Sequence, residues 1–453
     1  MPLDRSLHPQ SGPDLNFSPP LIQKFSIKNG LNIFLSKKTD LPIVRLNLLV
    51  NGGSKFDPDG QKGLSNLLAM CIDEGAGEFN SLELADKFEM LGAQFFISCT
   101  DDLIILALQV LKENFISTLQ LLTDIITQPH LEEEDFNREK HKVLVRLSQS
   151  KTEPDYIADT AFSYFLFGKN SPYAFPVIGT ENTVQNIQLH SIKNSYNNFF
   201  TPSNSAIIIV GDIDENLLKN ELEENFSTWN NSSIYKAPPE VVNRSTKKVY
   251  IIDKPGSVQT EIRIGHVSST RSEKDFFQKQ IINLVFGGQF SSRLNLNLRE
   301  KNGYTYGVHS QFNYLKEAGY FAISTSVDLA NTVPALLEIY NEINHIKMGI
   351  TADELTFAKS SLTKKFPSIF ETYRQIAAAI STKVIHDLPD NYFETYVEKV
   401  SSLKFDDVNS IAENSISPES IVSVLVGDSK KILSQMVGTE FGEISTLNFD
   451  EIF

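Results

Sequence analysis

Residues 206–212 read AIIIVGD, and residues 421–428 read IVSVLVGD. Each is a continuous apolar run closed by Gly-Asp, the pattern of a strand followed by a turn. Asp212 and Asp428 stand 216 positions apart. A second pair of markers, LEEEDF at 131–136 and ITADEL at 350–355, reads as two helix starts 219 positions apart. Near-equal offsets between unlike markers imply one unit present twice, in two domains of roughly 210 residues each.

Around these markers the elements are short and mixed. QKFSIKNGLNIFLSKK has Asn29-Gly30 at its centre, a strong hairpin signal. Leu64, Leu67, Leu68, Cys71 and Ile72 follow the i, i+3, i+4, i+7, i+8 stripe of a buried helical face. Further helices are expected near 82–91, 115–127 and 132–148, with strands near 94–98, 103–109 and 205–211. Alternating runs followed by helices predict an α+β fold, each domain a mostly antiparallel sheet with helices packed on one face. The first domain is placed at 20–228 and the second at 247–453. Residues 1–19, with four prolines, read as an exposed tail. Residues 229–246, holding Asn230-Asn231-Ser232-Ser233 and Pro238-Pro239, read as a linker.

Composition narrows the function. Of 453 residues, 41 are basic and 56 acidic, a net charge of −15. That balance opposes nucleic acid, which needs clustered cations against phosphate, and it opposes an anionic membrane surface. The longest apolar stretch, Leu103 to Leu108, is far short of the ~20 residues that span a bilayer. No basic-then-apolar leader is visible, so the cytoplasm is the expected compartment, with periplasm or organelle as the alternative if a signal has been removed. Two cysteines, Cys71 and Cys99, exclude a disulfide framework and a Cys-based zinc site. The eight histidines form no HExxH or HxxEH pair, and there is no Walker loop, GxGxxG or GxSxG.

The most informative chemistry lies in FGGQFSSRLNLNLREKNGYTYGVH, residues 286–309. Gly287-Gly288 permits close backbone approach. Residues 291–301 are expected to be helical with Leu294 and Leu298 inward, and Asn302-Gly303 to end the helix in a left-handed cap. Residues 304–308 are expected to resume as a strand, with Tyr304 and Tyr306 on one face. Arg299 would then sit in the last helical turn and Tyr306 on the strand, close enough to meet. The plain alternative is an Arg favourable to the helix dipole and a half-buried Tyr.

This stretch resembles the second-domain motif of the pitrilysin/insulinase-type metallopeptidases, the inverzincins, which include the mitochondrial processing peptidase. Asn29-Gly30-Leu31, Pro42, Gly52-Gly53-Ser54, Pro202, Asn204 and Val210-Gly211-Asp212 extend the resemblance along nearly the whole chain. The resemblance implies a repeated-domain fold and gives Arg299 and Tyr306 the role of binding the substrate carbonyl opposite a zinc ion. It also exposes a departure. Where zinc-bearing relatives have GLxHxxEH, this chain reads Gly63-Leu64-Ser65-Asn66-Leu67-Leu68-Ala69-Met70. Asn66 and Met70 occupy the two His positions and Ala69 that of the general base. Glu139 matches an acidic residue seven before the third ligand, whose place is taken by Arg146. An amide, a thioether and a guanidinium do not make a hydrolytic zinc site.

The implied function is that of an accessory, metal-free subunit of a heterodimeric zinc endopeptidase. A homologous HxxEH-bearing chain would supply zinc and general base, and this chain would supply hydrogen bonds and half of a peptide-enclosing chamber. The long glycine-rich loop of the mitochondrial alpha subunit is missing, since this chain has only Gly287-Gly288 at that place. A homodimer is the fallback when the chain is expressed alone. The rival reading is a non-catalytic scaffold or peptide-binding protein of the same fold. A hydrolase with another nucleophile has no Ser/His or Cys/His arrangement to support it.

Overall fold

The computed structural model describes residues 17–230 and 247–452. Two six-stranded sheets organise the chain. The first holds β1 (Ile22–Ser26), β2 (Asn32–Lys37), β3 (Ile43–Val50), β4 (Gln94–Cys99), β5 (Ile104–Leu111) and β6 (Ser205–Gly211), in the spatial order β1-β2-β6-β3-β5-β4. The second holds β7 (Lys248–Asp253), β8 (Gln259–Ser268), β9 (Val308–Tyr314), β10 (Gly319–Asp328), β11 (Val422–Gly427) and β12 (Glu443–Leu447), in the order β9-β10-β8-β11-β7-β12. Read from its other edge, the second sheet repeats the first. The echoed strands β6 and β11 hold the same place, each parallel to one neighbour and antiparallel to the other. The sheets differ at one edge: β1 pairs antiparallel with β2 through the Asn29-Gly30 turn, whereas β12 pairs parallel with β7.

Local chemistry explains the elements. Gly30 takes φ +91° at the hairpin turn. Asn29 ties that turn to the far end of the first half, donating to the carbonyls of Phe226 (3.0 Å) and Trp229 (3.2 Å). Trp229 is itself buried, its indole N–H on the Phe200 carbonyl at 2.8 Å, so the first core extends to this residue. Of the segments read as tail and linker, residues 1–16 and 231–246 lie outside the described residues. Phe17 is not part of an exposed tail: it stacks on Phe370 with ring centroids 5.5 Å apart.

Each half packs its own helices on one sheet face. Val44, Leu46 and Leu48 of β3 meet Leu64, Leu67 and Leu68 of α1 (Leu64–Cys71). Val143 and Leu147 of α2 (Glu133–Ser150) close the same core. The opposite face of each sheet carries a helix from the other half. α3 (Pro154–Phe167) sets Ile157, Ala158, Ala161 and Phe162 against Val422, Val424 and Val426 of β11. α4 (Tyr373–Ile385) sets Tyr373, Ile376, Ala377 and Ile380 against Leu49, Ile208 and Val210 of the first sheet. Strands β6 and β11 are therefore buried on both faces, which is why they read as unbroken apolar runs.

Polar contacts lock this exchange. Arg263 of β8, nearly buried, holds Asp159 of α3 at 2.6 Å and also pairs with Asp155. Gly265 lets the Phe162 ring approach: a Cβ there would fall 1.9 Å from the Phe321 carbonyl oxygen and 2.8 Å from Phe162 Cζ. Between the halves, Lys55 Nζ pairs with Asp102 at 2.9 Å and Glu317 at 3.1 Å. Asp102 also accepts from the Tyr173 hydroxyl (2.9 Å) and the Lys316 N–H (2.8 Å).

Candidate functional site

Two regions carry the residues singled out in the sequence. In the first half, α1 begins at Gly63, which takes φ +97°. Its N-terminal donors are satisfied by a distant acid. Asp57 accepts from the Gly63 N–H (2.8 Å), the Ser65 N–H (2.9 Å) and the Ser65 hydroxyl (2.6 Å). Burial pushes the Asp57 carboxyl up to about 7, against the pull of those donors. Sequence reading missed Asp57, because its six-residue offset from Gly63 lies outside the usual capping spacing.

On the same helix Asn66 Nδ2 lies 3.7 Å from Met70 Sδ, so the structure brings these two positions together, one turn apart. Ala69 is buried beside them. Helix α2 packs against α1. Its Glu139 is buried and held by Lys142 (2.7 Å) and Arg138 (3.2 Å). Arg138 reaches on to Glu74 at 2.5 Å. Burial and the nearness of Glu139 raise the Glu74 carboxyl. Arg146 is exposed on α2. Among the described residues no group of three His, Cys, Asp or Glu side chains could hold a metal ion. The donor set at 66, 70 and 146 does not fit zinc, and the acid that remains nearby is occupied by cations. Burial also raises both cysteine thiols, which keeps them protonated and poor nucleophiles.

The second region starts at Gly287-Gly288, where added Cβ atoms would fall 2.4 Å from Ser310 Oγ and 2.6 Å from Asn283 Nδ2. The helix expected over 291–301 differs from an α-helix: one short turn, Arg293–Asn295, passes into a π-helical turn, Leu296–Lys301. Leu294 and Leu298 point inward as expected. The turn closes with the Asn302 N–H on Asn297 O (3.1 Å) and the Tyr304 N–H on Leu298 O (2.8 Å), with Gly303 at φ +66°. Arg293 is a structural residue, forked onto Glu354 at 2.7 and 2.6 Å. Arg299 behaves differently. Its guanidinium lies 3.6 Å from the centroid of the Phe290 ring and touches Glu300 at 2.5 Å.

Tyr306 is not on a strand. β9 begins at Val308, and residues 304–307 form a bend. The helix ends at Lys301 and its cap falls at Gly303 as expected, but Thr305 Oγ1 ties the next residues to the Ser326 carbonyl and ladder pairing begins only at Val308. Tyr304 and Tyr306 consequently do not share a strand face: Tyr304 packs on the second core, and Tyr306 is 97% exposed. Among the described residues no hydrogen bond or ring contact joins Arg299 to Tyr306. The backbone of the bend is nonetheless fixed. Thr305 Oγ1 donates to Ser326 O (2.8 Å) and accepts from the Gly307 N–H (3.1 Å). Asn295 grips Val308 through both its N–H (3.2 Å) and its carbonyl (2.7 Å). A rigid loop thus holds one phenol out in solvent, 69%-exposed Phe290 stacks on Arg299, and neither Arg299 nor Tyr306 is buried in the core.

Comparison with known proteins gives a consistent result. Residues 33–170 match the family described as insulinase, peptidase family M16, and residues 186–362 match the peptidase M16 inactive domain. A "non-peptidase homolog YmxG" of Helicobacter pylori is 24% identical over 400 residues, covering 86% of this chain and 90% of that protein. Subunit alpha of the Homo sapiens mitochondrial-processing peptidase is 23% identical over 436 residues, 88% of this chain and 81% of its own. The crystal structure of a peptidase M16 inactive domain from Pseudomonas fluorescens matches with a TM-score of 0.82 at 23% identity, over 90% of this chain and 98% of that one.

Proposed function

The chain belongs to the M16 (insulinase) peptidase family, and from that premise we propose that it is the metal-free member of a two-chain zinc endopeptidase. A homologous chain carrying HxxEH supplies the zinc and the general base. This chain supplies Arg299 and Tyr306 as donors to the carbonyl oxygen of the peptide bond being cleaved. The observation that carries the reading is Tyr306 itself, a phenol 97% exposed on a braced bend beside an Arg-bearing π turn. The contacts of Thr305 and Asn295 fix the backbone on either side of it, so the phenol is presented to whatever arrives from outside.

The chemistry follows from charge. Attack on a peptide carbonyl builds negative charge on its oxygen, and donors already in position stabilise that charge without reorganising. Arg offers a permanently charged planar fork, and Tyr a single O–H. The donors are 7 positions apart and do not touch each other, so a substrate or partner surface has to complete the arrangement.

The test begins with the chain alone. Elemental analysis is expected to find no stoichiometric zinc, and peptide cleavage is expected to be absent until an HxxEH-bearing homologue is added. The triple variant Asn66→His, Ala69→Glu, Met70→His should still hold no zinc, because the cation of Arg146 remains at the third ligand position. One tightly held zinc per wild-type chain, or cleavage by the wild-type chain alone, would overturn the proposal.

A further inference from the structure

A cavity of about 900 Å³ lies between the outer face of the first sheet and the N-terminal end of α4. Its walls are mixed, with Leu41, Phe96 and Ile105 standing beside Gln94, Gln109 and Thr372. Arg45 of β3 lines it and is only 9% exposed. Asn47 orients this side chain, accepting from Arg45 Nε at 2.9 Å while reaching toward Ser381 of α4 at 3.4 Å. Among the described residues the two terminal guanidinium nitrogens make no hydrogen bond, and Arg45 has no ion pair. Arg374, at the first turn of α4, lines the same cavity and likewise has no ion pair there.

Two guanidinium groups facing one cavity repel each other, and burial adds to the cost of charging Arg45. The other charged groups of the lining do not relieve this. Asp40 is taken by Lys38 at 2.5 Å, and Glu371 is exposed at the rim. The rim itself is fixed, because the Tyr373 hydroxyl donates to the Leu41 carbonyl (2.8 Å) and accepts from the Leu41 N–H (3.0 Å). In a chain of net charge −15, the cavity thus presents a preorganised, unneutralised cationic fork flanked by apolar side chains.

We infer that Arg45 and Arg374 form a carboxylate-binding site that takes an acidic side chain or the terminal carboxylate of a peptide. One deep planar fork matches the two oxygens of a carboxylate. Leu41, Phe96 and Ile105 accommodate the carbon atoms on either side, and the polar side chains among them suit a peptide backbone. The choice of a peptide as the carrier rests on the function proposed above. The binding itself requires no partner chain, so it is measured on this chain alone and can fail or succeed independently of any catalytic role for Tyr306.

Three fluorescent octapeptides with apolar flanking residues separate the sources. The first is blocked at both ends with one central Glu, the second has Gln there, and the third has no acidic side chain but a free C-terminal carboxylate. The full-length chain is expected to bind the first or the third about tenfold more tightly than the second. Arg45→Gln should abolish that preference, and Arg374→Gln, a change at an exposed residue that leaves the core untouched, should weaken it several-fold. Preference for the first assigns the site to acidic side chains, and preference for the third to chain termini. Equal binding of all three peptides, a preference that survives both variants, or Arg45-dependent binding of inorganic phosphate with none of any peptide would overturn the inference.

Discussion

Tyr306→Phe is expected to lower the turnover of the reconstituted two-chain peptidase by about 10²–10³, the usual effect of removing one donor to a developing oxyanion. The variant loses one oxygen from a side chain that is 97% exposed, so its melting temperature and its assembly with the partner should not change. KM should move little, because the donor acts on charge that develops only as the carbonyl is attacked. Tyr304→Phe is the control. Tyr304 packs against the second core and is not presented beside Tyr306, so its loss should leave turnover within a few-fold. Arg299→Lys should also be damaging, since an ammonium reproduces neither the planar fork nor the stacking on Phe290. Full turnover in the Tyr306→Phe pair would make this chain a wall of the chamber and not a contributor to the chemistry.

The second large effect is on stability. Asp102→Ala is expected to destabilise the chain by about 3–5 kcal/mol. The Lys55 side chain is 1% exposed and depends on Asp102 at 2.9 Å, with Glu317, itself 47% exposed, as its other partner. Removing Asp102 leaves that buried ammonium with the half-exposed Glu317 alone, and it also takes one acceptor from the Tyr173 hydroxyl and one from the Lys316 N–H. These groups come from both halves, so the loss should weaken the docking of one half on the other. Equilibrium denaturation is the measurement. Adding Lys55→Met to Asp102→Ala should recover part of the loss, because the under-compensated buried charge is then gone. A change below about 1 kcal/mol for Asp102→Ala would show that the network contributes little to joining the halves.

The architecture was legible in the sequence where a pattern is local or repeated. Helices such as Phe115–Thr127 and strands such as Ser205–Gly211 follow from periodicity and apolar runs. The echo between AIIIVGD and IVSVLVGD led to two sheets of matching order. What stayed hidden is long-range. The apolar stripe on α3 or α4 reports that a face is buried, but not that its sheet belongs to the other half. Lys55 and Asp102 carry no sequence signal of being paired, since they meet only through tertiary folding. Near the candidate site, Gly303 marked the cap correctly, but nothing in LNLREK distinguishes a π turn from an α turn. Nor does the sequence show that residues 304–307 stay outside the ladder, with Thr305 tied to Ser326 through its side chain, which leaves Tyr306 on an exposed bend. Asn66 and Met70 were expected one turn apart on a single helix, and the structure sets them so.

The most direct test of the central claim is purification of the chain from its native source under gentle conditions, with mass spectrometry of whatever accompanies it. The account predicts a homologous chain of similar length bearing HxxEH, in about equal amount, with zinc-dependent peptide cleavage in the same fractions. Recovery of this chain by itself or only with copies of itself, with no such homologue and no peptidase activity in those fractions, would contradict it.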